Sequence, residues 1–143
     1  MLKIQATAIC YNGKAFLIQG KSGVGKSSLA LSLVRQGAFL ISDDITNVQL
    51  LDNKIFACPP IEKKGWLEVR SVGLISGFPV YQQAPIRAVI ELSETKPERV
   101  PKEQEIEILD KKIPFFQLWS QDEKLSDKIW LIDKILSGEL IQE

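Results

Sequence analysis

The octapeptide Gly20-Lys21-Ser22-Gly23-Val24-Gly25-Lys26-Ser27 constrains this chain more than any other segment. It fits G-x-x-x-x-G-K-[ST], a loop whose backbone N–H groups gather the oxygens of a nucleoside triphosphate. Glycines let that backbone approach phosphate closely and take positive φ without a Cβ penalty. Lys26 would reach the outer phosphates as a point charge, and the Ser27 hydroxyl would ligate Mg²⁺. Such a loop acts as an anion site when it joins a strand to a helix N-terminus, and both flanks are present. Residues 14–19 form a short apolar run of strand type ending at Gly20. After Lys26, Leu29, Ala30, Leu33 and Val34 recur at helical spacing, and Gly37 supplies the stop, with Arg35 near the negative end of the dipole. The expected nucleotide site is therefore Gly20, Lys21, Ser22, Gly23, Val24, Gly25, Lys26, Ser27 and Ser28.

Composition removes several classes of chemistry. The chain has no histidine, which excludes a His general base, a His metal ligand and a Ser-His-Asp triad. Two cysteines, Cys10 and Cys58, cannot close a zinc site and read as buried free thiols of a reducing cytoplasm. With 18 basic and 18 acidic residues the net charge is zero, which argues against nucleic-acid coating. No apolar run approaches the roughly 20 residues that span a bilayer, and the N-terminus lacks signal-peptide character. A length of 143 residues suits one domain.

Turn chemistry organises the rest. Residues 2–11 read as one strand, and Asn12-Gly13 joins it to 14–19 as a type I′ hairpin. Asp52-Asn53 joins strands at 48–51 and 54–57 in the same way. Strands are also expected at 38–41, 66–70, 86–92 and 106–109, and loops at 59–65 and 93–104, the second with Pro97 and Pro101. Leu125, Ile129, Ile132, Ile135 and Leu136 form a helical stripe with Trp130 beside it. Trp66, Trp119 and Trp130 read as core or interface residues.

Asp43-Asp44 closes the strand that follows the P-loop helix. A strand–helix–strand crossover makes those strands parallel, and ligands of such sheets bind at their carboxyl ends. The aspartates should thus face the phosphates or their metal, where a carboxylate holds Mg²⁺ or accepts a proton from an attacking hydroxyl. The same residues would also serve as a helix cap or a solvated turn. Glu68 and Arg70 share one face of a strand. They fit either a phosphate site or an exposed ion pair. Arg99 is a loop arginine able to stabilise transferred phosphate, or simply a solvated one.

In order, segments 17–31, 37–44, 59–60 and 67–75 resemble the catalytic domain of the HPr kinase/phosphorylase family; the last, opening Leu67-Glu68-Val69-Arg70, is similar to that family's own signature. The resemblance runs from about residue 4 to about 100. It implies a P-loop α/β fold with the mixed sheet of phosphoenolpyruvate carboxykinases, β-hairpins and few helices. It also implies a cytoplasmic, homo-oligomeric, commonly hexameric kinase that uses ATP and Mg²⁺ to phosphorylate a serine of HPr, the phosphocarrier of the sugar phosphotransferase system. On this resemblance Lys26 binds phosphate, Ser27 and Glu68, with Asp44, bind Mg²⁺, Asp43 is the base, and Arg99 is the catalytic-loop arginine. Residues 1–143 correspond to the catalytic domain alone, as in the short, single-domain type. Gln5 stands where the family carries a catalytic histidine, and a Pro-Gly-Arg segment tied to phosphorolysis has no match, so the kinase direction is expected rather than the phosphorylase one. A nucleotide-sensing module without transfer, or a kinase for a small metabolite, are the alternatives.

Overall fold

The computed structural model describes residues 1–62, 64–99 and 104–143. Lys63 and residues 100–103, which include Pro101 of the expected loop, lie outside the described residues. Strands β1 (Leu2–Gln5), β2 (Thr7–Tyr11) and β3 (Lys14–Gln19) precede helix α1 (Lys26–Arg35). Then come β4 (Phe39–Ser42), β5 (Ile45–Leu51), β6 (Lys54–Cys58), β7 (Leu67–Val69), β8 (Gly73–Ile75) and β9 (Ala84–Ser93). Strands β10 (Gln104–Ile108) and β11 (Lys111–Trp119) and helix α2 (Leu125–Leu136) complete the chain.

One curled sheet carries the fold. Its main wing runs β4-β2-β3-β9-β11-β10, and a second wing, β1-β5-β6, joins through the start of β9 at Ala84 and Pro85. Strand β2 is antiparallel to both β3 and β4, whereas β3, β9 and β11 are mutually parallel. The carboxyl ends of β3, β4, β9 and β11 therefore lie at one edge of the sheet, as the crossover argument requires.

Period-2 alternation splits the core between the two faces. Phe16 and Ile18 of β3, Ile9 of β2, and Ala88 and Ile90 of β9 pack against Leu29, Ala30 and Leu33 of α1 and Ile129 and Ile132 of α2. The intervening Ala15, Leu17, Ala8, Cys10 and Val89 face Val48, Ile55 and Ala57 of the second wing. Helix α1 stops as its sequence directs: Ala38 N–H donates to Leu33 O and Gly37 N–H to Val34 O, with Gly37 at φ 104°, the paired bonds of a Schellman end. Both hairpin expectations hold. Asn12 and Gly13, and Asp52 and Asn53, all have positive φ, and their strands pair antiparallel.

The structure departs from the sequence reading in four places. Residues 2–11 are two strands, because the chain passes from one wing to the other at Ala6. Ala6 is fully buried and its carbonyl accepts from Thr46 Oγ1 at 2.8 Å. Strand β11 was not expected. Its turn is Leu109-Asp110, both at positive φ, and Pro114 lies within it, just before the parallel pairing with β9 begins at Phe115. The strand expected at 66–70 is only Leu67–Val69, and it returns as β8 in a hairpin of its own. Of the two places expected for the tryptophans, core or interface, the core is not where they lie. Trp66 and Trp130 are 38% and 44% exposed, and Trp119 is half-buried. Trp130 sits beside the buried stripe of α2, with Lys134 Nζ 5.6 Å from its ring centroid, and Lys96 covers Trp119 similarly.

Candidate active site

At the carboxyl edge of the sheet lies a cleft of about 990 Å³. Four segments from different parts of the sequence build its walls. The P-loop and the first turn of α1 contribute Ser22, Gly23, Gly25, Lys26, Ser27 and Ser28. Thr7 and Asp43-Asp44 come from the adjacent ends of β2 and β4, and Glu68 through Leu74 come from the β7–β8 hairpin.

The P-loop conformation depends on its glycines. Gly20 has φ 149°, and a Cβ there would lie 2.8 Å from Val24 Cγ1 and 3.0 Å from the Leu92 carbonyl. Gly23 has φ 81°, and a Cβ would meet the Arg70 guanidinium at 2.7 Å. Glycine at 23 is thus what lets Arg70 lie across the loop. Gly25, also at positive φ, caps α1, whose first turn carries no acidic residue, so its N-terminal N–H groups offer an uncompensated positive end. Lys26 is almost buried, and its ammonium donates to the carbonyls of Gly20 at 2.5 Å and Lys21 at 3.3 Å. Replacing Gly20 with Ala should weaken the loop's hold on a nucleoside triphosphate about tenfold or more, ~1.4 kcal/mol, because both the loop and the Lys26 acceptor must move. Titration calorimetry with ATP would read this directly.

Asp43 is the hub of the cleft. Its Oδ1 accepts from Ser27 Oγ at 2.8 Å and Thr7 Oγ1 at 2.9 Å, and its Oδ2 accepts from Glu68 N–H at 3.0 Å. One carboxylate thus ties the P-loop helix, the start of β2 and the β7–β8 hairpin together. Asp44 follows at φ 70°, a conformation that Asp tolerates, and this bend turns the chain from β4 into β5. Asp44 and Glu68 both line the cleft.

Of the residues singled out from sequence, Ser22 to Ser28 other than Val24, with Asp43, Asp44 and Glu68, line one cavity. Gly20, Lys21 and Val24 shape the loop behind it: Val24 packs on the helix-side core, and Lys21 pairs with Glu94 at 3.1 Å on the exposed side. Arg99 does not join them. It is exposed beyond the turn that Ser93 and Thr95 form after β9, and it is not among the cleft-lining residues. The arginine at the phosphate loop is Arg70 instead. Gln5 is exposed at the end of β1, paired with Ile45, and is likewise outside the cleft lining. Thr7 was missed from sequence, yet the signal was there. The two-residue turn at Asn12-Gly13 fixes the register back to Thr7 opposite Ile18, at the carboxyl end of the P-loop strand.

Mg²⁺ fits this donor set in one particular way. Among the described residues no cluster of three or more His, Cys, Asp or Glu side chains could hold a metal. The hard oxygens of Ser27, Asp44 and Glu68 instead suit an ion that takes one or two carboxylates and completes its octahedron with phosphates and water. Cysteine chemistry is absent from the cleft: burial pushes the thiols of Cys10 and Cys58 up, and neither lines it. A smaller cavity of about 380 Å³, lined by Lys14, Lys54 and Arg87, opens at the opposite ends of the parallel strands and contains none of these groups.

Comparison with known proteins bears on the same segments. The family model described as HPr serine kinase C-terminal domain matches residues 3–125. The chain belongs to this family. A relative named HPr kinase/phosphorylase from Malacoplasma penetrans (strain HF-2) is 35% identical over 133 residues, 84% of this chain and 44% of the relative. Another of that name, from Clostridium novyi (strain NT), is 37% identical over 93 residues, 61% of this chain and 30% of the relative. The chain thus spans less than half the length of these curated relatives. The structure titled Hpr(Ser) kinase/phosphatase from Coxiella burnetii superposes with a TM-score of 0.80 over 97% of this chain and 91% of that one, at 20% identity, and so shares the fold. Among the described residues no helix is long and apolar enough to cross a membrane.

Proposed function

We propose that this chain is an ATP- and Mg²⁺-dependent protein serine kinase whose acceptor is HPr. The observation that carries the reading is the junction of Ser27, Asp43 and Glu68 within 3.0 Å contacts at the mouth of a P-loop. A proton acceptor and a triphosphate cradle are thereby held side by side, which a nucleotide-sensing module would not require. Membership in a family described as HPr serine kinase supports HPr as the acceptor.

In this reading the α1 N-terminus, the P-loop amides and Lys26 bind the β- and γ-phosphates. Ser27 and Glu68, with Asp44, would hold Mg²⁺, which supplies neutralisation of phosphate charge when bound. Asp43 Oδ2 takes the proton of the acceptor hydroxyl as its oxygen bonds the γ-phosphorus and the bond to ADP breaks. Arg70 lies where it can meet the charge on the transferring group. The β7–β8 hairpin, with Val72 and Leu74 exposed on the cleft rim, offers the surface nearest an incoming protein acceptor. The chemistry is chiefly positioning and electrostatics, as phosphoryl transfer requires. Homo-oligomerisation and a cytoplasmic setting accompany the reading as expectations from the family.

Incubating HPr with this protein and γ-labelled ATP tests the proposal. Label on a single HPr serine, dependent on Mg²⁺, is expected. Label absent from HPr but present on a small alcohol in a metabolite screen would move the function to a metabolite kinase. No transfer, together with an ATP-dependent change in molecular size, would move it to a sensing module.

A further inference from the structure

We infer that Thr7 is a positioning residue for transfer, holding Asp43 so that one defined oxygen, Oδ2, is left to accept the proton. The inference rests on the assignment of Asp43 as base.

A carboxylate oxygen accepts about two hydrogen bonds. Oδ1 of Asp43 has both, from the Ser27 and Thr7 hydroxyls, whereas Oδ2 has one, from Glu68 N–H. The remaining acceptor position on this carboxylate therefore belongs to Oδ2, in the cleft that Ser27 and Glu68 also line. Ser27 spends its proton on Asp43 and keeps its lone pairs for a cation.

Ser27 cannot fix the carboxylate alone, because it sits on the P-loop helix and must also answer to the metal and nucleotide. Thr7 has no such second duty. It is fully buried, 0% exposed, on β2 between the P-loop strand and β4, and its β-branched side chain is stiff about χ1. Its hydroxyl also receives a long contact from Asp44 N–H at 3.4 Å, which leaves the hydroxyl proton to point at Asp43. The rotor is thus set by the backbone on one side and spent on the carboxylate on the other. Neighbouring hydroxyls continue the pattern: Ser42 meets Thr46, which donates to Ala6 O, so the residues just before Thr7 and Asp43 are tied to each other through Thr46. Placing a carboxylate within a few tenths of an ångström in this way is what makes general-base transfer effective.

The test is steady-state kinetics of Thr7→Val, Thr7→Ser and Asp43→Asn, read as transfer to HPr and as Mg²⁺-dependent ATP hydrolysis, in which water replaces the acceptor hydroxyl. Val keeps the branched shape and deletes the donor. The expected result is a kcat about 10- to 100-fold lower in Thr7→Val, with KM for ATP within about twofold of wild type, and recovery to within about threefold in Thr7→Ser. Thermal unfolding of the three variants separates this from loss of fold, which would lower the active fraction and leave Ser no better than Val. Unchanged kcat in Thr7→Val, while Asp43→Asn is inactive, overturns the Thr7 inference alone. Normal rates in Asp43→Asn, or a wild type with neither transfer nor hydrolysis, overturn the base assignment and the inference with it.

Discussion

Asp43→Asn is expected to lower phosphoryl transfer by about 10²- to 10⁴-fold while leaving ATP affinity within a few fold of wild type. The amide keeps the size of the carboxylate and removes its capacity to take a proton. Its orientation is constrained as well. The amide oxygen has to stay on the Oδ1 side, where the Thr7 and Ser27 hydroxyls need an acceptor, so the NH₂ turns toward Glu68 N–H, which also donates. That donor–donor meeting should displace Glu68 and the β7–β8 hairpin locally without touching the P-loop amides or Lys26. Affinity therefore survives and transfer does not. Equal loss of both, measured by calorimetry beside kinetics, would mean that Asp43 is a strut of the nucleotide site rather than a base.

The second large effect concerns stability. Asp133 lies on the buried side of α2, 3% exposed, where its Oδ2 accepts from Asn12 Nδ2 at 3.0 Å and its Oδ1 faces Arg87 Nε at 3.5 Å. The second contact is too long for a hydrogen bond, so the two groups compensate each other as charges. Together they clamp α2 to the β2–β3 turn and to β9. Asp133→Ala leaves the Arg87 guanidinium without its counter-ion and Asn12 without an acceptor. Removing one partner of a buried pair costs about 3–5 kcal/mol, and Arg87 retains enough access to water to place the expected loss nearer 2–4 kcal/mol. Urea unfolding should report it, with Asp133→Asn costing less because its oxygen still serves Asn12. The same carboxylate acts on Tyr11, whose phenol is pushed up first by burial and then by the charge of Asp133. Its titration should accordingly move down in the alanine variant, and a Tyr11 titration unmoved by the substitution would contradict the proximity.

Both sites bear on how far the sequence could be read. The P-loop, α1 with its glycine stop, and the Asn12-Gly13 and Asp52-Asn53 turns were legible because each is dictated by residues within a few positions of one another. Asp43 was legible through topology, since a crossover connection leaves few places for the end of β4. Arg70 was only half-legible: its face was known, but not that its guanidinium lies over Gly23. Strand β11 was hidden because Leu109-Asp110 is not a usual pair for two positive φ angles and Pro114 argues against a strand. Thr7 and Asp133 were overlooked for another reason. Each is a polar residue on an apolar stripe, Thr7 at the hairpin register and Asp133 four residues after Ile129, and the apolar pattern alone gives no cue to the partner that satisfies it. Arg99 shows the converse, a chemically suitable side chain that the loop after β9 carries into solvent. In each case the missing information is a contact between residues far apart in the chain.

The most direct test of the central claim is the intact mass of HPr from the same organism after incubation with this protein and Mg²⁺-ATP, with Asp43→Asn in parallel. The expected result is the gain of one phosphate with the wild-type protein and none with the variant. A wild-type protein that binds ATP and leaves the mass of HPr unchanged would contradict it.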